Sequence, residues 1–295
     1  MRIPYDVIRD GLGAVNRAAD NMAAAQRQMS TGRRLNSIGD DPLGAHQAVG
    51  QHATLGAIDA YSRAVSAASP RLAAADAVFA AVGDKLTAAI QAGLGAKGSN
   101  TTPASRTASA AQVASLRDAL LADFNSTENG TYLFSGTAST DAPYAQSGGT
   151  WVYQGNADTA KVEVGRGRTI AVTFDGQAIA KGTDPTDVFT VLDDLAMAIN
   201  AGNDPAIATA VAGLERAFDR TLRAQGRLGA DERGLDEASM RLAGLKRGAE
   251  ARRSTIEDAN MAEAITNLTQ AETNYRAALA SVSTMERISL LDYLR

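Results

Sequence analysis

The sequence predicts a mainly α chain: an elongated helical bundle or coiled coil formed by its N- and C-terminal segments, with a small β-rich domain inserted in the middle. Three observations predict it. A narrow apolar stripe of heptad spacing lies near each end, helical patterns with clear start signals occupy most of what lies between, and helical periodicity disappears from about 131 to 182. Alanine recurs in nearly every block of ten, while aromatics make up only 5% of the chain. Alanine favours helix but buries little apolar area, so such helices need length or neighbours to stay folded.

Near the N-terminus Ile8, Val15, Met22 and Met29 are seven apart, with Leu12, Ala19 and Gln26 at the second seam position. That 4-3 alternation puts one apolar stripe on a helix. Ser30 to Pro42 then reads as a turn between this helix and the body, with Ser30, Gly32, Arg33, Asn36, Asp40, Asp41 and Pro42 as its motif. Gly32 and Gly39 permit backbone conformations denied to other residues. Arg33 and Arg34 are candidates to pair with Glu257 and Asp258.

Asp41-Pro42, Thr102-Pro103, Asp184-Pro185 and Asp204-Pro205 each read as an N-cap followed by proline at the first helical position. Ser69-Pro70 reads as a break in what is otherwise one helix from about 43 to 92, and Gly93-Leu-Gly-Ala-Lys-Gly98 as a loop. Residues 104–124 continue as an amphipathic helix, and 206–251 are helical in pattern with glycine interruptions at Gly226, Gly229 and Gly234. In the middle, Thr131–Phe134, Thr150–Tyr153, Lys161–Val164 and Thr169–Phe174 are short strand candidates, with Gly165–Arg168 as a hairpin connection. Trp151 and Phe174 are the expected small core of this insert, which needs the helices for support.

At the C-terminus Met261, Ile265, Leu268, Tyr275, Leu279 and Val282 are spaced 4, 3, 7, 4 and 3, followed by Ile288, Leu290, Leu291 and Leu294. Residues 255–291 contain no Gly and no Pro, which permits one helix of roughly 55 Å. The expected division is therefore a terminal coiled-coil assembly domain (1–42 and 255–295), a helical body (43–136 and 183–254) and the β insert (137–182).

Composition and motif also exclude functions. There is no cysteine, so disulfides and thiolate chemistry are absent. A formal net charge of -4 gives no electrostatic footprint for nucleic acid. No run approaches about 18 consecutive apolar residues, so no membrane span is expected, and the first ten residues lack the apolar region of a cleaved signal peptide. His46 and His52, the only histidines, sit six apart and on opposite faces of a helix, too far apart to share a metal. Adjacent carboxylates at Asp40-Asp41 and Asp193-Asp194 diverge, and the glycine-rich stretch at 93–98 lacks the Gly-Lys-Ser/Thr ending of a phosphate loop. Acidic residues interleave the basic stretch Arg241–Arg253, which marks a solvated or subunit-facing helix. Asn100-Thr-Thr, Asn125-Ser-Thr and Asn129-Gly-Thr fit the glycosylation pattern but, without a secretory signal, read as turn chemistry. No catalytic, cofactor or metal site is expected.

Two motifs carry more than pattern. Gln28-Met-Ser-Thr-Gly-Arg-Arg-Leu-Asn36 with Asp40-Asp-Pro-Leu-Gly-Ala45, and the partner run Ser254 to Gln270, resemble the paired terminal signatures of the bacterial flagellin superfamily. Met1-Arg-Ile3, Asp40-Asp-Pro42, Asn129–Gly136 and the ending Ile288–Leu294 are most similar to its hook-to-filament junction branch. The resemblance implies a subunit exported unfolded, without a cleaved signal peptide, by the flagellar export machinery with an export chaperone. It then forms a ring or helical assembly with itself between hook-associated protein 1 and flagellin, outside the cell. The implied assembly interface is Ile8, Leu12, Val15, Met22, Met29, Ile265, Leu268, Tyr275, Leu279, Val282 and Leu291. Filament flagellin is the nearest rival reading, and an intracellular coiled-coil adaptor a more distant one; nucleic acid and membrane are not expected partners.

Overall fold

The computed structural model describes residues 5–98, 101–138, 140–148 and 150–293, and the side chains of 5–8 and 285–293 fall outside that description. Seven helices and three hairpins follow in order: α1 (Tyr5–Thr31), α2 (Pro42–Gly95), α3 (Pro103–Phe124), β1 (Thr127–Glu128), β2 (Thr131–Tyr132), β3 (Tyr144–Ser147), β4 (Thr150–Tyr153), β5 (Lys161–Gly165), β6 (Arg168–Ala171), α4 (Gly176–Ala180), α5 (Val188–Ala201), α6 (Asp204–Glu257) and α7 (Met261–Tyr293). The chain is thus mainly helical, and among the described residues its strands lie in the middle as antiparallel two-stranded sheets. It forms two compact units, Met1–Ala57 with Gly244–Arg295, and Ile58–Ala243.

In the second unit α2 and α6 run antiparallel. Asp76 accepts from Gln225 at 3.1 Å, Gly83 faces Phe218, and Gly93 lies so close to Val211 and Leu195 that a Cβ there meets them at 2.9 and 3.0 Å. Buried α2 positions follow a strict 3-4 spacing through Val65, Ala68, Leu72, Ala75, Phe79, Val82, Leu86 and Ala89, the signature of a coiled-coil seam. On α6 the seam repeats every seven residues at Ile207, Leu214, Thr221, Leu228, Leu235 and Leu242. Helix α2 is long and apolar enough to cross a membrane by composition. Its apolarity is largely alanine, and within this unit its heptad face is covered.

Several local expectations change. Pro70 lies inside α2 without ending it; it sits on the exposed face, where a carbonyl left without its N–H partner can turn to water. The same helix runs on through Gly93 to Gly95, so the 93–98 loop begins later than expected. Gly226, Gly229 and Gly234 likewise leave α6 unbroken. Asp184 does not start a helix: it receives Arg216 at 3.0 Å and Arg220 at 2.5 Å, and the cap of α5 is Asp187, whose carboxylate accepts the Thr190 N–H at 2.9 Å. The α6 cap falls one residue early, on Asn203, which accepts the Ala206 N–H. Asp41 and Thr102 cap α2 and α3 as expected, through the N–H groups of Gly44 and Ser105.

The four expected strand segments all contribute, joined by β1 and β3. Asn129 and Gly130, both at positive φ, form the two-residue connection of β1 to β2, the conformation for which Asn-Gly is favoured. Asn100 is outside the described residues. Trp151 and Phe174 do not form a core of their own: both are only half-buried. Phe174 instead joins a cluster centred on Phe134, which lies just before the insert, is 1% exposed, and is held edge-on against Phe79 of α2 at 5.4 Å and tilted on Phe124 of α3 at 5.5 Å. Phe189 of α5 continues the cluster to Tyr144 at 4.8 Å. Arg71 of α2 clamps the hairpins from below, donating to the carbonyls of Val172 and Tyr132 at 2.6 and 2.9 Å and to the Thr131 hydroxyl. So few residues bury their own aromatics only by borrowing helix surface.

Gly226 and Gly229 stand in the interior of α6 with nothing within 4 Å of a built Cβ. Alanine at either site is expected to raise the stability of this unit by about 0.5–1 kcal/mol, since glycine costs that much in an open helix interior. Thermal melting of the two single variants and the double checks it; unchanged or lower melting contradicts it.

Candidate assembly site

Helices α1 and α7 pack antiparallel on each other: Asn21, Ala25 and Gln28 border one groove with Asn267 and Ala271. Only Ala25 (8% exposed) and Ala264 (1%) of this pair count as buried among the described residues. The seam alternates small and larger residues: Gly11, Val15, Ala18, Met22 and Ala25 on α1, and Ala264, Leu268, Ala271, Tyr275, Ala278 and Val282 on α7, each spaced 4-3 and at least half-covered. Val15, Met22, Leu268, Tyr275 and Val282 therefore face inward. Leu12 (55% exposed), Met29 (39%), Ile265 (49%) and Leu279 (43%) do not, and Met261 joins them at 44%. Met261, Ile265 and Leu279 lie roughly 60–100° round α7 from Ala264. What reads in sequence as one stripe is thus a seam and an uncovered apolar edge beside it. The side chains of Ile8 and Leu291 lie outside the described residues.

The turn between α1 and α2 is built on its own polar groups. Gly32, at φ +67, ends α1 with its N–H on the Gln28 carbonyl, the left-handed C-terminal cap that glycine allows. Thr31 and Asn36 join side chains at 2.8 Å. Asp40 then accepts from the N–H groups of Ser37 and Asn36 at 2.8 and 3.0 Å and from the Ser37 hydroxyl at 3.0 Å. The Ser30 hydroxyl turns back onto the Arg27 carbonyl, and Arg34 reaches Asp41 at 3.1 Å.

This turn stitches to the α6–α7 junction. The single 255–291 helix expected from sequence is interrupted at Asp258–Asn260. There the Arg34 N–H donates to the Glu257 carbonyl (2.7 Å), the Ala259 N–H to the Gly32 carbonyl (2.8 Å), and the Arg34 guanidinium to the Ile256 carbonyl (2.8 Å). These bonds occupy the helix-end groups that a continuous helix would use itself, and Asn260 caps α7 through Ala262. Arg33 and Arg34 thus meet 257 and 258 through main chain, Arg33 pairing with Asp258 as a β-bridge, rather than as the expected ion pairs. The buried Glu257 carboxylate lies 2.6 Å from His52 Nε2 instead. Sequence reading missed the pairing of His52 with Glu257 and the cap at Asn260; the Asn at the start of the C-terminal stripe was the one available signal, as a helix cap.

Asp40 is held below the usual carboxylate range by the Ser37 and Asn36 N–H groups and the Ser37 hydroxyl. A depressed folded value means the contribution is present above the unfolded pKa and is lost as pH falls through the folded one. The turn is expected to stay ordered at neutral pH and to loosen progressively below about pH 4. Asp40→Asn should show the loosened Asn36 and Ser37 amides already at pH 7, measured by NMR; protection unchanged in that variant contradicts the assignment.

Among the described residues no group of three or more His, Cys, Asp or Glu side chains is placed to hold a metal. Long paired helices, an uncovered apolar edge and a stitched turn characterise the unit that holds both chain ends. The sequence profile of the bacterial flagellin N-terminal helical region matches residues 12–139, and that of the C-terminal helical region matches 211–294. The chain is similar to flagellar hook-associated protein 3 of Escherichia coli, 25% identical over 301 aligned positions that span 94% of each chain. A flagellar hook-associated protein structure from Vibrio parahaemolyticus superposes with a TM-score of 0.69 at 21% identity, covering 74% of this chain and all of that one. The flagellar junction protein of Legionella pneumophila gives 0.60 at 14% identity, covering 72% and 99%; both are likenesses of fold. The chain belongs to the bacterial flagellin family. It is a structural protein of the flagellum, exported and assembled with other flagellar proteins, and not an enzyme.

Proposed function

We propose that this chain is the subunit joining hook-side proteins to the flagellin filament, and that it assembles through its two terminal helices. The observation that carries the reading is the uncovered apolar edge of α1 and α7 on a chain that aligns over 94% of its length with a hook-associated protein 3. Residues 1–42 and 255–295 form the assembly domain, 43–136 and 183–254 the body, and 137–182 the insert. The interface comprises Leu12, Met29, Ile265 and Leu279 toward neighbouring copies, with Val15, Met22, Leu268, Tyr275 and Val282 pairing the two helices; Ile8 and Leu291 extend it. Ser30, Gly32, Arg33, Asn36, Asp40, Asp41 and Pro42 set the turn from which these helices project. Hook-associated protein 1 and flagellin are its neighbours. It leaves the cell through the flagellar export machinery, accompanied by an export chaperone and without a cleaved signal peptide.

Deleting the gene tests this. Hooks that carry no filament while flagellin accumulates in the medium are expected; normal filaments contradict it. The flagellin profile matches also suit a filament subunit, which predicts that the purified chain alone grows micrometre-long filaments.

A further inference from the structure

The turn that stitches the terminal helices also carries an apolar apex. Ile38 is 77% exposed and Leu43, one residue into α2 beyond Pro42, is 69% exposed. Neither is there by looseness: the Asp40 carboxylate and the Asp40 N–H to Ser37 carbonyl bond of 3.1 Å fix the backbone on both sides of Ile38, and Asp41 caps the turn that presents Leu43. A rigid apolar projection loses little conformational entropy on docking, yet none of the described residues of its own unit covers it.

The second unit carries an opening of the matching kind. A groove of about 610 Å³ runs between α5 and α6, with Val191, Met197, Ala198, Ala201, Ala206 and Ala210 among its lining. Met197 is 61% exposed, and Asp194 stands at the rim, exposed. On the other side Arg33, exposed, lies five residues before Ile38. Of the other charges, Asp40 is taken by its own turn, Asp41 by Arg34, and Arg216 of the groove lining by Asp184, which leaves Arg33 beside the apolar projection and Asp194 beside the apolar groove as an opposite-charge pair.

We propose that the Ile38–Leu43 apex of one copy seats in the α5–α6 groove of a second copy, with Arg33 facing Asp194. The inference rests on the reading that the chain assembles with itself through its terminal helices. Projection and groove are different surfaces, so the contact is heterologous and propagates from copy to copy in one direction. Two side chains fall far short of the ~1,200 Å² that a stable interface buries. The contact therefore holds register within an assembly whose terminal helices already bring copies together, and does not dimerise the free chain.

The absence of native cysteine makes the test clean. An Ile38→Cys chain and a Met197→Cys chain, each altered at an exposed site, are expressed together in place of the native chain; flagella are purified, mildly oxidised and run on non-reducing gels. A mixed disulfide joining position 38 of one chain to position 197 of the other is expected, because the bond forms only when Cα atoms come within about 7 Å. Arg33→Glu in the first chain should lower its yield about two- to fivefold, and Asp194→Arg in the second should restore it. The chain present in flagella without that mixed disulfide, or with cross-links only between two copies of the Ile38→Cys chain, overturns this contact and leaves the junction reading intact. The chain missing from flagella overturns both.

Discussion

Replacing Ile265 and Leu279 together by aspartate is expected to abolish incorporation into flagella while leaving the chain folded and secreted. Both side chains are more than two-fifths exposed in the free chain, so the exchange removes nothing its own core depends on. In the assembled state each is expected to be covered by a neighbour, and covering the half still exposed is worth about 0.7–1.5 kcal/mol apiece. The lost contribution alone weakens each subunit contact by roughly 10–10²-fold, and burying two unpaired carboxylates adds to it. Filament counts by electron microscopy, with the secreted chain quantified in the medium, read the result directly. Wild-type filament numbers would show that this edge of α7 is not used.

The second large effect lies in the other unit. Phe134→Ala should destabilise the 58–243 unit by about 3–5 kcal/mol, the usual loss for a fully buried phenylalanine. Phe134 touches Phe79, Phe124 and Phe174 within 6.0 Å, so the cavity opens where two helices and the insert share one core. At the two to four degrees per kcal/mol seen for domains of this size, melting falls by about 10 °C. Hairpin signals, followed by NMR, should vanish in the same transition as the helices. Insert and helices melting separately in wild type would contradict a shared core.

Residues that announce backbone geometry were legible in the sequence. Asp41 and Thr102 cap the helices they were read to cap, and Asn129-Gly130 makes its turn, because each such signal depends only on near neighbours. Signals of the same kind failed when a stronger local partner was close by: Asp184 serves Arg216 and Arg220, and Asp187 caps α5 instead. Pro70 was misread because a proline's cost depends on whether its helix has a seam to hold it, which lies in α6. The terminal seam was blurred by a chemical bias. Large apolar residues attract the eye, but in an alanine-rich pair Ala25 and Ala264 are the buried residues, and Ile265 and Leu279 are left at the edge. The break at 258–260 has only Asn260 as a local sign, since its bonds are made by residues 32–34 some 220 positions away. Trp151, the single tryptophan, was an obvious core candidate; the cluster formed on Phe79, Phe124 and Phe189, which lie on helices distant in sequence.

The thin seam also sets the dynamics. Ordering a residue costs about 1–2 kcal/mol of backbone entropy, and among the described residues α1 with α7 offsets it with two buried alanines and a row of half-covered side chains. Such a pair is expected to sit at the low end of local stability until neighbours complete it. Hydrogen exchange on the isolated chain tests this most directly. Amides of 9–31 and 261–284 should exchange orders of magnitude faster than those of 72–89 and 188–199, and should become slow once the chain is in flagella. Equally slow exchange throughout the free chain would contradict the account.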